Sequence, residues 1–458
     1  MQLLPPLVCS IFSFVLMRIQ AKLEIYTKIV FILNLFFAIF EFIGGIFTNS
    51  VAIISDSIHD RLSATAFVLQ QDDKQAVLIS ATVCLIQTVL AKRICQEIET
   101  RFRIPKEHII LSATHTHAGP NTAANIGWGE LDVTYCETIF VPQILKAVEI
   151  GLGRLVSVTM GVSQGMSDIA VNRRQVLINN KVKLGQNPSG PYDSRMTILS
   201  FKDDEGHIVG NIVHYGLHGT AAGHLNTAIT KDWSGVMTER LESLTGAVTA
   251  FFNGPEGDVG PRLTNGKTTG TLSMMRELGG IAASDAVRIY QQAKMWQIAN
   301  LQCYTGKIRV PLDSRIDFEE AKELLEKIIV GKDNWETRNK AHLEEIIASY
   351  KEGYEEQEYE EHNQTIIQLG DVAFVSFPYE IFSEIGMRIA RESKVAYTLS
   401  LSNTNGSEGY FVTQDAICRG GYEVEMHKNA RIQPYADDAD WHIIKDTIKN
   451  LEEMRCTE

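Results

Sequence analysis

Short apolar runs of strand length constrain the fold of this 458-residue chain more than any other feature. They lie at residues 109–111, 247–252 and 372–377, and each is followed by polar or glycine-rich residues. A fourth strand is predicted at residues 212–217. The run at 247–252 leads through a glycine-rich turn into a helical pattern around residues 274–290. Strands combined with helices in this way predict an α/β fold.

Composition and charge exclude several classes of protein. The chain is 45% hydrophobic and 22% charged, as is usual for a globular protein. Its 43 basic and 56 acidic residues give a net charge of −13, which repels phosphate backbones, so no nucleic-acid partner is expected. The seven cysteines are scattered without a C-x-x-C pair, so we expect free thiols rather than a disulfide framework or a zinc ribbon.

The N-terminal segment differs from the rest of the chain. Residues 29–54 are almost entirely apolar, with Glu41 as the one charged exception. A run of this length can cross a bilayer of about 30 Å. We therefore predict a hydrophobic, helical segment at residues 1–56 that is long enough to span a membrane, and a separate domain at residues 57–458. The protein is expected to be membrane-associated, on a side that the sequence does not specify.

Residues 34–60 resemble the first and part of the second transmembrane helix of cation diffusion facilitator metal transporters. In that family a metal-binding residue at the position of His59 is followed four residues later by an acid, but Ser63 stands there. The other four helices of such a transporter have no counterpart in this sequence. The segment therefore indicates a membrane anchor or a fusion remnant rather than a transporter.

Two histidines follow the strand predicted at residues 109–111. His115 and His117 are two positions apart, so in an extended chain their side chains project from the same face. An H-x-H pair at a strand end is suited to binding a divalent metal such as zinc, although two surface histidines would give the same pattern. A metallo-β-lactamase site would need an acid where Gly119 stands, whereas a barrel amidohydrolase site stays open.

Further candidate ligands follow other predicted strands. His218 comes before a Gly-Thr turn and is the better ligand candidate of its region, whereas His214 is expected in the core and His224 in a loop. Glu380 comes just after the run at residues 372–377, where a charge is costly unless it is paired or binds a metal. The spacing along the chain does not by itself place these residues together.

The sequences of six motifs, and their order along the chain, resemble those of the catalytic domain of the neutral/alkaline non-lysosomal ceramidases. These motifs are ATHTHAGP, VNRR, LHGT, GDVGPR, FPYE and GYFVT, the last followed by Tyr422-Glu423, and the likeness covers about residues 57–450. It implies a mixed-sheet α/β zinc hydrolase core. It also implies that zinc is held by His115, His218, Glu380 and Tyr410, and that the scissile amide is contacted by His117, Arg173 and Tyr422.

The function implied by this resemblance is zinc-dependent hydrolysis of the amide bond in ceramide or a related N-acyl amide by metal-activated water. The expected partner is thus a lipid or N-acyl amide substrate of sphingolipid metabolism. One departure concerns Gly260, which stands where the ceramide-cleaving members carry serine. We also expect that the immunoglobulin-like C-terminal domain of longer members is absent. Two alternatives follow: a catalytically impaired, zinc-containing lipid-binding homologue, and a transporter remnant fused to a hydrolase domain.

A Glu-rich stretch at residues 317–361 is not explained by the resemblance. Its apolar residues recur at helical spacing and predict two amphipathic helices separated near residues 331–333. Their acidic faces are expected to be solvated.

Overall fold

The computed structural model describes residues 62–124, 129–223, 226–293, 296–328 and 334–456, all within one compact unit, Arg61–Glu458. The hydrophobic segment predicted at residues 1–56, its membrane span and its transporter-like sequence lie outside the described residues, as does His224. Among the helices of the described ranges, none is both long and apolar enough to cross a membrane.

The strands and helices alternate along the chain. The strands are β1 Ala64–Gln71, β2 Lys74–Ala81, β3 Ile109–Ala113, β4 Val158–Met166, β5 Ala170–Val176, β6 Val182–Asn187, β7 Arg195–Asp203, β8 Ile208–Tyr215, β9 Val248–Asn253, β10 Val259–Pro261, β11 Trp296–Gln297, β12 Leu301–Pro311, β13 Tyr359–Leu369, β14 Val372–Ser376, β15 Glu380–Ile381, β16 Tyr397–Leu401 and β17 Tyr410–Phe411. The longer helices are α1 Thr88–Phe102, α2 Val141–Leu152, α3 Asp232–Thr245, α4 Leu272–Tyr290, α5 Phe318–Lys327, α6 Asn334–Lys351, α7 Ser383–Glu392, α8 Gln414–Arg419, α9 Tyr422–Lys428 and α10 Ala439–Cys456. Short helical turns at Lys106–His108, Val133–Tyr135 and Cys136–Phe140 complete the set.

Three sheets share one plan, in which a parallel pair of strands is joined by a helix. The pairs are β2 with β3, β8 with β9 and β14 with β16, and the joining helices are α1, α3 and α7. Parallel neighbours need a crossover connection, and a helix is the usual one. The other pairings in these sheets are antiparallel. The predicted α/β fold is therefore confirmed, with mixed sheets.

The two largest sheets share an apolar core. Their strand orders are β11-β4-β7-β8-β9 and β12-β13-β14-β16, and the smaller sheets are β1-β2-β3, β10-β5-β6 and the pair β15-β17. Residues of β7, β8 and β9 meet residues of β13, β14 and β16 in one cluster. The other face of the five-stranded sheet packs on α3 and α4, and the other face of the four-stranded sheet on α7 and α10.

Strand β14 shows why the first four of its five residues are apolar. Val372 and Phe374 enter the core between the sheets, whereas Ala373 and Val375 face the helices. Successive side chains of a strand point to opposite faces, so a strand covered on both sides favours apolar residues at every position. The strands predicted at residues 109–111, 247–252 and 372–377 are confirmed as β3, β9 and β14.

The carboxyl ends of these parallel strands meet at one edge of the fold. The chain after β3 runs beside the chain after β8, where Thr116 forms a parallel bridge with Gly219. His117 N donates a hydrogen bond to Gly219 O at 3.0 Å. A Cβ atom on Gly219 would lie 2.5 Å from His115 O, so only glycine permits this approach. The two histidine-bearing segments are thereby held against each other.

The Glu-rich stretch forms the two predicted helices, α5 and α6. The predicted break near residues 331–333 lies outside the described residues. The helices bury Ala321, Leu343 and Ile346 between them, while α5 exposes its glutamates. The helical prediction is therefore confirmed for both members of the pair.

Candidate metal centre and its surroundings

His115 and His117 lie beyond the end of β3 and not on an extended strand. The strand ends at Ala113, and His115 has a φ angle of 65°, in the left-handed region. The prediction that both imidazoles project from one face of an extended chain is therefore wrong. The turn nevertheless brings the two rings within 4.8 Å, centroid to centroid, in an edge-to-face arrangement. His115 is buried and His117 is exposed.

Backbone carbonyls fix the orientation of the two buried histidines. Nδ1 of His115 lies 2.9 Å from Cys84 O, and Nδ1 of His218 lies 2.8 Å from Glu256 O and 3.1 Å from Val259 O. A carbonyl oxygen only accepts hydrogen bonds, so Nδ1 of each ring carries the proton. Nε2 of each ring then presents its lone pair to the interior of the site.

Glu380 faces both lone pairs. Its Oε2 atom lies 3.4 Å from Nε2 of His115 and 3.1 Å from Nε2 of His218. That oxygen is buried and accepts no hydrogen bond within the described residues. Glu380 and Tyr410 are direct partners in the parallel pair β15-β17, which places the phenol beside the carboxylate. The Tyr410 hydroxyl lies 3.4 Å from Nε2 of His218.

Three hydrogen-bond acceptors thus converge. The Tyr410 hydroxyl and Nε2 of His117, 3.3 Å from Nε2 of His115, reach the imidazole nitrogens from the side, while Glu380 Oε2 accepts no hydrogen bond within the described residues. The candidate ligand atoms of His115, His218 and Glu380 all lie within 4.8 Å of one another, and the three side chains are buried. Such an arrangement is unfavourable unless a cation, either a proton or a metal ion, occupies the space between the lone pairs. These residues therefore form a possible metal site, and their nitrogen and oxygen donors suit a divalent transition metal.

The pKa values of His218, Glu380 and His115 indicate which of these groups carries a charge. Burial lowers the pKa of His218 to about 3, with a further contribution from Arg173. Burial alone would raise the pKa of Glu380, but His115 and His218 hold it well below its usual range. Burial opposes protonation of His115 as well, yet Cys84 and Glu380 raise its pKa well above 6.5. Without a metal, His115 is the group that supplies the positive charge.

A second group of ligand-type side chains overlaps the first. Cys84, His115 and His117 also lie close enough to hold a metal. Cys84, one of six cysteines free of disulfides in the described residues, has its Sγ 3.8 Å from Nδ1 of His115. That nitrogen already donates to Cys84 O. The group with Glu380 therefore has the better-oriented lone pairs.

Arg173 connects this centre to a buried ion-pair network. Arg173 Nη2 donates to the Tyr410 hydroxyl at 2.9 Å, and its Nε lies 2.9 Å from Glu423 Oε1. The other oxygen of Glu423 lies 2.8 Å from Arg174 Nη1. Neighbouring residues of a regular strand point to opposite faces, but the register shifts between Asn172 and Arg174, which lets both arginines reach one carboxylate.

Tyr422 begins α9 and completes the wall of the site. Its ring lies 5.9 Å from the ring of Tyr410, edge to face. Burial raises the pKa of Tyr422 to about 12, so the phenol keeps its proton at neutral pH and can donate a hydrogen bond. The structure thus brings together all seven residues singled out from the sequence. Their roles as ligands or catalytic groups stay predictions.

Two further residues of the site were missed by the sequence analysis. Glu256 is fully buried, and its Oε1 accepts a hydrogen bond from Asn403 Nδ2 at 2.6 Å. Asn403 Nδ2 also lies 3.4 Å from Nδ1 of His115. Burial raises the pKa of Glu256 to about 8. The only sequence signal was an acid within a stretch that follows the buried strand β9.

The comparisons with known proteins agree with this architecture. The model of the family described as neutral/alkaline non-lysosomal ceramidase, N-terminal, matches residues 49–277, which is half of the chain. The chain belongs to this family. Neutral ceramidase 1 of Arabidopsis thaliana is 24% identical over 203 residues, covering 41% of this chain and 25% of that protein. The neutral ceramidase of Pseudomonas aeruginosa is 24% identical over 283 residues, covering 58% of this chain and 41% of that protein.

Solved structures show the same fold. The crystal structure of neutral ceramidase from Pseudomonas aeruginosa matches with a TM-score of 0.65 and 17% identity, covering 86% of this chain and 69% of that chain. A ceramidase solved in complex with C2 matches with the same TM-score of 0.65. The matched region spans less than half the length of the two curated relatives named above. The ceramidase fold of this chain is therefore established over most of its length.

The buried ion-pair network generates a prediction. Glu423→Gln removes the negative charge between Arg173 and Arg174, so we expect the free energy of unfolding to fall by about 3 kcal/mol, as is usual when one partner of a buried pair is lost. Glu425→Gln, on the exposed side of the same helix, is the matched control and should change little. Chemical denaturation of the full chain measures both. Equal stability of the two variants would contradict the assigned network.

Proposed function

We propose that this chain is a zinc-dependent amidohydrolase that cleaves the linear amide bond of ceramide or of a related N-acyl amide. One observation carries the proposal: the lone pairs of His115, His218 and Glu380 converge in a buried space, where Oε2 of Glu380 accepts no hydrogen bond from the described residues. Membership of the ceramidase family supports the type of reaction and substrate.

Zinc fits the donor set of this centre better than the hard cations do. Two imidazole nitrogens and one carboxylate oxygen are three donors of the kind that zinc binds in hydrolases, and the phenol oxygen of Tyr410 lies beside them as a fourth candidate. Mg²⁺ and Ca²⁺ prefer six or more oxygen ligands. Zinc in such a site supplies Lewis acidity, which polarises a carbonyl and acidifies water.

The remaining residues have roles that follow from their positions. Arg173 is held by Glu423 and donates to the Tyr410 oxygen, so it positions that phenol beside Glu380. Tyr422 retains its proton and can donate to the negative charge that develops on the amide oxygen. His117 is the exposed imidazole of the group and can accept a proton from the attacking water and pass it to the departing amine.

We expect the full-length protein to bind about one zinc per chain and to hydrolyse a fluorogenic N-acyl amide. His115→Ala and Glu380→Ala should each lose zinc and lower kcat/KM by a factor of about 1,000 or more, because a metal ligand is removed. His207→Ala changes an exposed histidine outside the site and is the matched control. Elemental analysis and steady-state kinetics measure these effects.

The outcomes separate this proposal from its alternative. Zinc with turnover that both site variants abolish supports the amidohydrolase. Zinc without turnover on any amide would favour a catalytically impaired, zinc-containing lipid-binding homologue. A chain that binds no zinc would contradict the centre itself. Membrane association stays a separate prediction for residues 1–56.

The space beside Gly260, where ceramide-cleaving members of the family carry serine, is filled by the side chain of Thr268. A Cβ atom on Gly260 would lie 2.7 Å from Cβ and from Cγ2 of Thr268, and 3.3 Å from Cβ of Arg173. Thr268 is buried and therefore occupies the space that a serine side chain would need. Gly260 thus packs directly against Thr268, next to Arg173.

Gly260→Ser should therefore be destabilising by about 1–3 kcal/mol through overpacking against Thr268. In the double variant Gly260→Ser with Thr268→Gly, which removes both close atoms, we expect most of that loss to be recovered, with Thr268→Gly alone as the reference for the cycle. Denaturation of the four proteins measures the coupling between the two sites. Simple additivity of the two substitutions would show that Thr268 does not fill the serine space.

A further inference from the structure

Helix α6, the second member of the Glu-rich pair, lies beside the wall of the candidate site. Arg338 Nη1 is 3.0 Å from Sδ of Met426, and Asn339 Oδ1 accepts a hydrogen bond from Asn429 Nδ2 at 3.1 Å. Met426 belongs to α9, one turn after Tyr422. The helical pair that the family resemblance did not explain therefore places side chains next to the catalytic region.

Arg338 differs from the other half-buried and buried arginines near the site. Arg173, Arg174 and Arg431 each lie within ion-pair distance of a carboxylate. Arg338 has no carboxylate within that distance in the described part of the chain, although its helical pair is rich in glutamate. The positions three and four residues away on α6 hold Asn334, Trp335, Ala341 and His342, so the helix itself supplies no acid.

The charge of Arg338 acts on the candidate site. The side chain is half-buried, and burial lowers the pKa of Arg338, an effect that the charges of Tyr422, Tyr410 and Glu380 partly offset. A guanidinium stays protonated at physiological pH. A positive charge that is partly removed from water and has no counter-ion among the described residues favours binding of an anion.

His342 lies one turn further along α6, on the same face as Arg338. Burial and the neighbouring Arg338 lower the pKa of His342 to about 4, so the ring is neutral at pH 7. It makes no hydrogen bond to any of the residues that the structure describes. A neutral imidazole beside a guanidinium adds a second group that can hydrogen-bond to an oxygen-rich anion.

We propose that Arg338, assisted by His342, is a specificity-determining residue that binds an anionic group of the substrate. The preferred substrates are then N-acyl amides that carry a carboxylate, and uncharged ceramide is a poorer substrate. This inference rests on the proposed amidohydrolase function, since it names the substrate class of the same site. The planar guanidinium matches a carboxylate with two parallel hydrogen bonds.

The test compares substrates that differ only in charge. N-dodecanoylglycine and N-dodecanoylglycinamide place the carboxylate or its neutral amide on the amine side of the scissile bond. The monododecylamide of succinic acid and the corresponding diamide do the same on the acyl side. The zinc-loaded full chain should prefer the acid in one of the two pairs by about tenfold or more in kcat/KM, as expected for a charge-assisted hydrogen bond.

Variants then assign the preference to Arg338. Arg338→Gln should reduce the acid-to-neutral ratio of kcat/KM by about tenfold or more, and Arg338→Lys should retain part of it. Arg276→Gln, an exposed arginine of α4, is the matched control and should keep the wild-type ratio. Both substrates are measured on one preparation, so the fraction of folded protein cancels in the ratio. Absence of a preference in both pairs, or a ratio that Arg338→Gln leaves unchanged, would overturn the proposal.

A binding measurement separates this proposal from the proposed function. If the zinc-loaded protein hydrolyses none of these amides, the amidohydrolase function fails, and calorimetry with the same four compounds tests the anion site alone. Tighter binding of an acid than of its neutral partner, lost in Arg338→Gln, would support the anion site. Equal binding of acid and neutral partner would overturn it.

Discussion

The site depends on one electrostatic constraint: the side chains of His115, His218 and Glu380 point their lone pairs into the same buried space. Oε2 of Glu380 lies 3.4 Å from Nε2 of His115 and 3.1 Å from Nε2 of His218. Backbone carbonyls place the proton of each neutral ring on Nδ1, so all three of these atoms are hydrogen-bond acceptors. Such a group is stable only around positive charge. The proton that His115 can carry and the zinc ion that we propose are alternative ways to meet that condition.

The fold brings these three side chains together by repeating one unit, a parallel pair of strands joined by a helix. Each of the three side chains follows a strand that belongs to a parallel pair joined by a helix, namely β3, β8 and β14. The carboxyl ends of such strands are the usual place for binding sites in α/β proteins. Around the centre, carbonyl groups orient the histidines, and Glu423 fixes Arg173, which in turn fixes Tyr410. Both histidines and Tyr410 are therefore held by contacts outside the centre, as is typical of metal sites.

Local patterns predicted the parts of this structure that depend on local physics. The apolar run of β14 follows from burial on both faces, and the helical spacing of the Glu-rich stretch follows from packing of α5 on α6. The geometry that depends on contacts between distant segments could not be predicted from these local patterns. The left-handed turn at His115 overrode the extended chain that the H-x-H spacing suggests. Glu256 and Arg338 carry no distinctive motif, and their place beside the site arises from contacts between segments that are distant in sequence. The membrane segment predicted at residues 1–56 lies outside the described residues.

The most direct test of the central claim is X-ray absorption spectroscopy at the zinc edge on the zinc-loaded full chain, compared with Cys84→Ser and His218→Ala. The account predicts only nitrogen and oxygen neighbours at about 2.0–2.2 Å, a spectrum unchanged in Cys84→Ser, and loss of the ordered shell in His218→Ala. A sulfur neighbour at about 2.3 Å that disappears in Cys84→Ser would place the metal in the overlapping group of Cys84, His115 and His117. That result would contradict the assignment of Glu380 and His218 as the centre of the site.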